Sequence, residues 1–190
     1  MTAQESIHAH FAAMVSGDGA LAETVVAPEH VNARAADEPP ACRRPGPPGF
    51  LATGAWLRSA VPDLSFEVLE VVVEGDSATA HVRMSGHQTG PFVVFEDGSA
   101  PQVFPPSGRH FSVEQSHLFT LDGSKTIKHT AVRDDLGMMR QWGYIPPSPA
   151  SLASMVWWKV SGRSRKAVEA VIEVTDRAAL GAEPSFGPHN

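Results

Sequence analysis

Apolar residues recur at helical spacing near the N-terminus. Ile7, Phe11, Met14 and Val15 fall on one face of a helix predicted over residues 3 to 15. The run Ser16-Gly17-Asp18-Gly19 breaks it, and Asp18 has the chemistry of an N-cap for a short second helix with Leu21, Val25 and Val26 inward. Residues 27 to 49 are rich in Pro and Ala and show no period, so they are predicted to be a long loop of the kind that often covers a binding site. Phe50, Leu51, Gly54, Leu57 and Val61 then predict a third helix, which ends before Pro62.

From Ser65 the period changes to two. Residues 66 to 90 read as strand, tight turn at Glu74-Gly75-Asp76, and strand. Ala78, Ala80, Val82 and Met84 share one face of the second strand, and Thr79, His81, Arg83 and Ser85 share the other. Residues 95 to 109 are irregular. Residues 110 to 121 and 126 to 134 form a second hairpin around Asp122-Gly123-Ser124-Lys125, and a helical turn over Leu136–Gly143 closes the core. A helix is predicted within residues 151 to 181, with Val168, Val171, Ile172 and Leu180 as its apolar stripe; the last residues, from Gly181, read as a frayed end. Helices segregated from an antiparallel meander predict an α+β domain over residues 1–147 and a C-terminal helical extension over 148–190.

Composition narrows the function. The chain has 190 residues, 42% of them hydrophobic and 19% charged, with a formal net charge of -6. That balance lacks the basic footprint of a nucleic-acid binder. No apolar run is long enough for a membrane span, and the N-terminus has no basic, then apolar leader, so a cytoplasmic protein is expected. Cys42 is the single cysteine. Arg43 and Arg44 beside it are a setting that lowers a thiol pKa, but no base accompanies it in the local pattern.

The candidate chemistry lies in the second hairpin. Gln115 and His117 are two apart on one strand, and His129, Ala131 and Arg133 share a face of the next. Paired, the strands present a histidine-rich polar set in an apolar sheet, the kind of lining a ligand pocket has. Taken alone, a strand histidine is more often solvent-facing, or satisfied in the core, than catalytic. Asp134 and Asp135 both precede a helix and can cap it, with Asp135 the better placed. No compact metal-ligand motif is present, and neither a metal nor a cofactor is expected.

The segments 111–119 and 127–143 together resemble the SnoaL-like polyketide (ester) cyclase family, of the nuclear-transport-factor-2-like superfamily. Asp134, Gly137, Gln141 and Gly143 match an Asp-x-x-Gly-x-x-x-Gln-x-Gly segment of that family, and Phe104–Gln115 resembles its Pro-Pro-x-Gly-Arg element. The resemblance spans roughly residues 5 to 145. It implies a cone-shaped α+β barrel, a curved antiparallel sheet with N-terminal helices around a deep pocket, here followed by the helical tail. It implies ring closure of a polyketide by intramolecular aldol chemistry, an apolar or aromatic small-molecule substrate, and a homodimer. Gln115 and His117 fit the family's Gln-x-His pair, His129 its last-strand histidine, and Asn32 a pocket asparagine. Phe50, Trp56 and Arg133 join Asn32 and Gln115 as expected substrate contacts.

The acid/base aspartate of the family falls at Ala131 in this sequence. Three expectations follow. Another carboxylate, with Asp134 nearest, takes the role; or His117 or His129 acts as the base; or the pocket binds a ligand without reacting. Epoxide hydrolysis, another activity of the superfamily, is the alternative reaction, with Asn32, Arg133 and Asp134 as its candidate residues.

Overall fold

The computed structural model describes residues 1–96 and 99–181. Helix α1 spans Ala3–Ser16. Thr2 caps it, accepting from the Glu5 amide while the Glu5 carboxylate accepts from the Thr2 amide, so two otherwise unpaired donors are satisfied reciprocally. Its inner face is Ile7, His10, Phe11 and Met14, all buried. Helix α2, Gly19–Val25, starts at the Asp18 cap that the sequence predicts.

The loop predicted from residue 27 is partly regular. Strand β1, Val26–Asn32, runs parallel to the last strand at one edge of the sheet. Its pattern is interrupted by Pro28 and Glu29, and its register shifts between Val26 and Val31. An edge strand tolerates a proline because one of its sides makes no ladder bonds, and this interruption hid the strand from a periodicity reading. Two single 3-10 turns, Ala35–Asp37 and Pro40–Arg43, lead into α3, Gly46–Ala60.

Strands β2 (Ser65–Glu74), β3 (Ser77–His87), β6 (His110–Asp122) and β7 (Lys125–Arg133) form the expected antiparallel meander. With β1 added in parallel, the sheet is mixed and ordered β1-β7-β6-β3-β2. Register shifts between Val68 and Glu70 and between Thr120 and Leu121 mark bulges, which bend strands and help curl the sheet around α1 and α3. Ala78, Ala80, Val82 and Met84 point inward from β3, as their alternation predicts. The stretch before β6 contributes a small separate hairpin, β4 (Phe92–Val94) and β5 (Gln102–Phe104), which packs on the core.

Helix α4 spans Asp135–Trp142. The C-terminal helical segment is two helices, not the single one expected: α5 (Pro149–Val160) and α6 (Arg163–Ala179), separated at Ser161 and Gly162. Helix α6 packs against α3, and its Ala167, Val171 and Ala179 belong to the main core cluster. No helix among the described residues is long and apolar enough to cross a membrane. The expected frayed end lies, from residue 182 onward, outside the described residues.

Candidate active site

A cavity of about 250 Å³ opens between the concave face of the sheet, α3 and α4. Its apolar wall includes Trp56 and Leu57 from α3, Phe66 from β2, and Phe92 and Phe104 from the small hairpin. Trp56 is fixed twice: its Nε1 donates to the Val93 carbonyl at 2.8 Å, and its ring stacks on Phe92 at a centroid distance of 5.0 Å. Met14, Met84, Met138 and Met139 add to the apolar surface, an adaptable lining because thioether side chains repack easily.

The segment that resembles the family's motif delivers two of those methionines. Asp134 caps α4, accepting from the Gly137 amide at 2.8 Å. A Cβ on Gly137 would lie 2.0 Å from the Asp134 carboxylate, so the cap requires glycine there. Gln141 clamps α4 to β6, accepting from the Ser112 amide at 2.8 Å and donating to its carbonyl at 2.9 Å. Gly143 ends the helix with φ 84°, in the left-handed region that favours glycine. The motif is therefore a clip that holds Met138 and Met139 against the cavity. Asp134 is exposed and does not line the cavity, and it caps the helix in place of Asp135, the better-placed candidate by sequence. Asp135 is free of that task and binds Arg133.

Gln115, His117, His129, Ala131 and Arg133 all face the cavity from β6 and β7. His117 Nε2 and Gln115 Oε1 are 3.0 Å apart, and His117 Nδ1 and His129 Nε2 are 2.8 Å apart. The Gln115 carbonyl oxygen only accepts, so His117 donates to it from Nε2 and accepts from His129 at Nδ1. Nδ1 is free to accept because burial favours the neutral form of both rings, pushing His117 down to about 4 and His129 well below its ordinary value. Gln115 completes the row with its Nε2 at 3.4 Å from the Met84 sulfur. His10 and His30 lie beside this row, with ring centroids of His10 and His129 5.9 Å apart; burial lowers the pKa of both, and His10 Nδ1 and His30 Nε2 have no hydrogen-bond partner among the described residues.

Arg133 marks the rim. It binds Asp37 at 2.8 Å and Asp135 at 3.2 Å, so its charge is balanced by two carboxylates. Asn32 also reaches the cavity, with its Oδ1 accepting from the Arg34 amide at 3.0 Å. Phe50 does not line the cavity, contrary to the sequence reading. It is buried behind it against His10, at a centroid distance of 4.6 Å, because the face of α3 that carries Phe50 packs on α1 and β1 while Thr53, Trp56 and Leu57 face inward. Cys42 is buried as well. Burial pushes its thiol up, and Arg43 and Arg44 are turned away to the Ala35 and Ala36 carbonyls and to Asp176.

A carboxylate that the sequence reading did not single out also opens into the cavity. Glu38, between the two 3-10 turns, is only 2% exposed and lines the cavity with the histidines. Its Oε2 accepts from the Thr53 hydroxyl at 2.6 Å and its Oε1 from Asn32 Nδ2 at 3.1 Å. Burial pushes its pKa up from 4.5 to about 7, against the smaller lowering effects of Thr53, Arg133 and Asn32. The available signal was Thr53 itself: a hydroxyl inside the apolar stretch 50–57 of a buried helix needs a polar partner. Among the described residues, no group of three or more His, Cys, Asp or Glu is arranged to hold a metal ion.

Residues 6–142 match the family model described as SnoaL-like polyketide cyclase. The chain belongs to the SnoaL-like polyketide cyclase family. Among similar SnoaL-like proteins is the aklanonic acid methyl ester cyclase DnrD of Streptomyces peucetius, 31% identical over 122 residues that cover 64% of this chain and 77% of DnrD. The solved structure of TsrD from Streptomyces laurentii superposes with a TM-score of 0.59 at 32% identity, covering 74% of this chain and 93% of TsrD. IdmH, a putative polyketide cyclase from Streptomyces antibioticus, shares the fold, with a TM-score of 0.57 at 20% identity and coverage of 75% and 99%. Within this SnoaL-like frame, the mixed curved sheet and the helices over its concave face form the family's cone.

Proposed function

We propose that the protein closes a ring in a polyketide-type carbonyl substrate by cofactor-free acid/base chemistry, an intramolecular aldol addition. The observation that carries this reading is the content of the cavity: a buried carboxylate and a row of neutral hydrogen-bonding groups open into one apolar space. The similarity to an aklanonic acid methyl ester cyclase supports the same class of substrate.

The chemistry suits such a site. A carbon between two carbonyls is already a weak acid, so a carboxylate in a dry pocket can take its proton. The enolate carbon then attacks a second carbonyl of the same chain. Enolate and alkoxide oxygens carry negative charge in turn, and groups such as Gln115, Asn32 and Arg133 can offer them donors without reorganising. The apolar walls fold a long substrate so that its reacting carbons meet. His117, with both nitrogens engaged, serves better as a rigid part of that wall than as a base.

Two other readings are tested alongside. Epoxide hydrolysis has one observation in its favour, Arg133 held between Asp37 and Asp135 at the rim. Ligand binding without reaction rests on Ala131. In heavy water, an anthraquinone-type β-keto ester should take up deuterium at its activated carbon and cyclise faster with the protein than without it. Saturable binding with no acceleration of either step would favour the binding reading. Diol formation from an apolar epoxide, with the keto ester untouched, would favour the hydrolase.

A further inference from the structure

If this SnoaL-like chain is a cyclase, as read above, it lacks a carboxylate at the place on β7 where the family resemblance puts one. Ala131 stands there, opposite His117 in the sheet, and a methyl group carries no proton. We propose that Glu38, from the segment between β1 and α3, removes the substrate's carbon-bound proton and returns it to the newly formed alkoxide. The base has moved from a strand to a turn but still opens into the same cavity.

Three carboxylates line the cavity among the described residues: Asp37, Glu38 and Asp135. Asp37 and Asp135 both bind Arg133, and their side chains are 38% and 47% exposed. Both are therefore hydrated and already engaged by a guanidinium. Glu38 differs on both counts, being buried and, among the described residues, hydrogen-bonded to the neutral groups Asn32 and Thr53 with the neutral Cys42 thiol beside it. Each of its oxygens accepts one hydrogen bond, which fixes the plane of the carboxylate and leaves lone pairs for a proton. The charged and titratable groups around it are Arg133, Asp37 and Cys42. The first favours the carboxylate, the second opposes it, and the Cys42 thiol is held neutral by burial. Arg133 is already balanced by its two aspartates, so it does not reduce Glu38 to an inert ion pair.

The step balances without a further reactant. The C–H bond breaks, its proton passes to Glu38 and its electron pair enters the enolate. The enolate carbon forms the new C–C bond as the π pair of the attacked C=O becomes an alkoxide. The alkoxide takes the proton back from the Glu38 carboxylic acid, and the product is an isomer of the substrate. Asn32 and Thr53 are positioning residues in this scheme.

The test compares wild type, Glu38→Gln, Glu38→Asp and Asp134→Asn with the anthraquinone-type keto ester. Deuterium uptake, ring closure and binding by tryptophan quenching are each followed against pH, with circular dichroism to confirm folding. Glu38→Gln is expected to lower kcat by about 10²- to 10⁴-fold, the usual scale for an acid/base group, and to change binding by no more than about threefold. The rise of wild-type kcat around pH 7 should vanish with it. Glu38→Asp should keep a titrating limb with part of the activity, and Asp134→Asn should match wild type. A folded Glu38→Gln variant that exchanges and cyclises at the wild-type rate, with the same pH profile, overturns the assignment and leaves the cyclase reading standing. A wild type that accelerates neither step overturns both.

Discussion

Replacing Glu38 by glutamine should make the protein more stable at neutral and alkaline pH. The native state holds this carboxyl where ionisation is costly, with its pKa raised from 4.5 to about 7. Below pH 4.5 the group is protonated in both folded and unfolded chains, and it imposes no penalty. Between 4.5 and 7 the unfolded chain ionises first, so wild-type stability falls as pH rises. Above about 7 the loss is complete, and the displacement corresponds to about 3 kcal/mol. Glutamine has nearly the same shape and no charge to bury. Its Oε1 can accept from Asn32, and the Thr53 hydroxyl can rotate to accept from its Nε2. The gap between the two proteins should therefore be near zero at pH 4.5, widen to pH 7 and level off. For a chain of this size that is a Tm gap of about 10 °C at pH 8. Urea unfolding from pH 5 to 8.5 measures it directly. The buried histidines are common to both proteins and cancel in the difference. A constant offset across pH, or a variant less stable at pH 8, would refute the claim that burial of Glu38 outweighs its hydrogen bonds.

Other perturbations read out other parts of the site. His117 is held down to about 4 by burial, so the unfolded chain takes its proton first as pH falls below 6.5; wild type should lose about 3 kcal/mol from this group by pH 4, and His117→Gln should flatten that acid limb in urea unfolding. Asp134→Ala should cost about 1 kcal/mol through loss of the α4 cap, while Asp134→Asn costs little, and calorimetry distinguishes them. Adding Ala131→Asp to Glu38→Gln places a carboxylate beside His117 again. It should restore ring closure by at least about tenfold over Glu38→Gln alone, and failure in a folded double variant would count against a transferred base.

The family motif shows what local sequence can reveal. Asp134, Gly137, Gln141 and Gly143 were recognisable as a family pattern over a predicted helical turn, although Asp135 was the better-placed cap by sequence. That Gln141 clips this helix to β6 through Ser112, and so presses two methionines on the cavity, depends on a partner distant in sequence. The hairpin alternation likewise put Gln115, His117, His129 and Arg133 on one face. The bonds among Gln115, His117 and His129, whose rings burial keeps neutral, required the register of β6 on β7.

The period of apolar residues determined the first three helices, the four-stranded meander and the shared face of its histidines, because those patterns follow from 3.6- and 2-residue repeats within one element. Strand β1, the burial of Phe50 behind the cavity and the isolation of Glu38 were decided by tertiary structure. Glu38 sits in an aperiodic, proline-rich stretch, with an aspartate before it that looks equivalent. One carboxylate meets Arg133 at the rim and the other is enclosed by Asn32 and Thr53. That difference leaves the first hydrated and the second desolvated. Desolvation is a property of everything packed around a group, and no run of neighbouring residues in the chain encodes it.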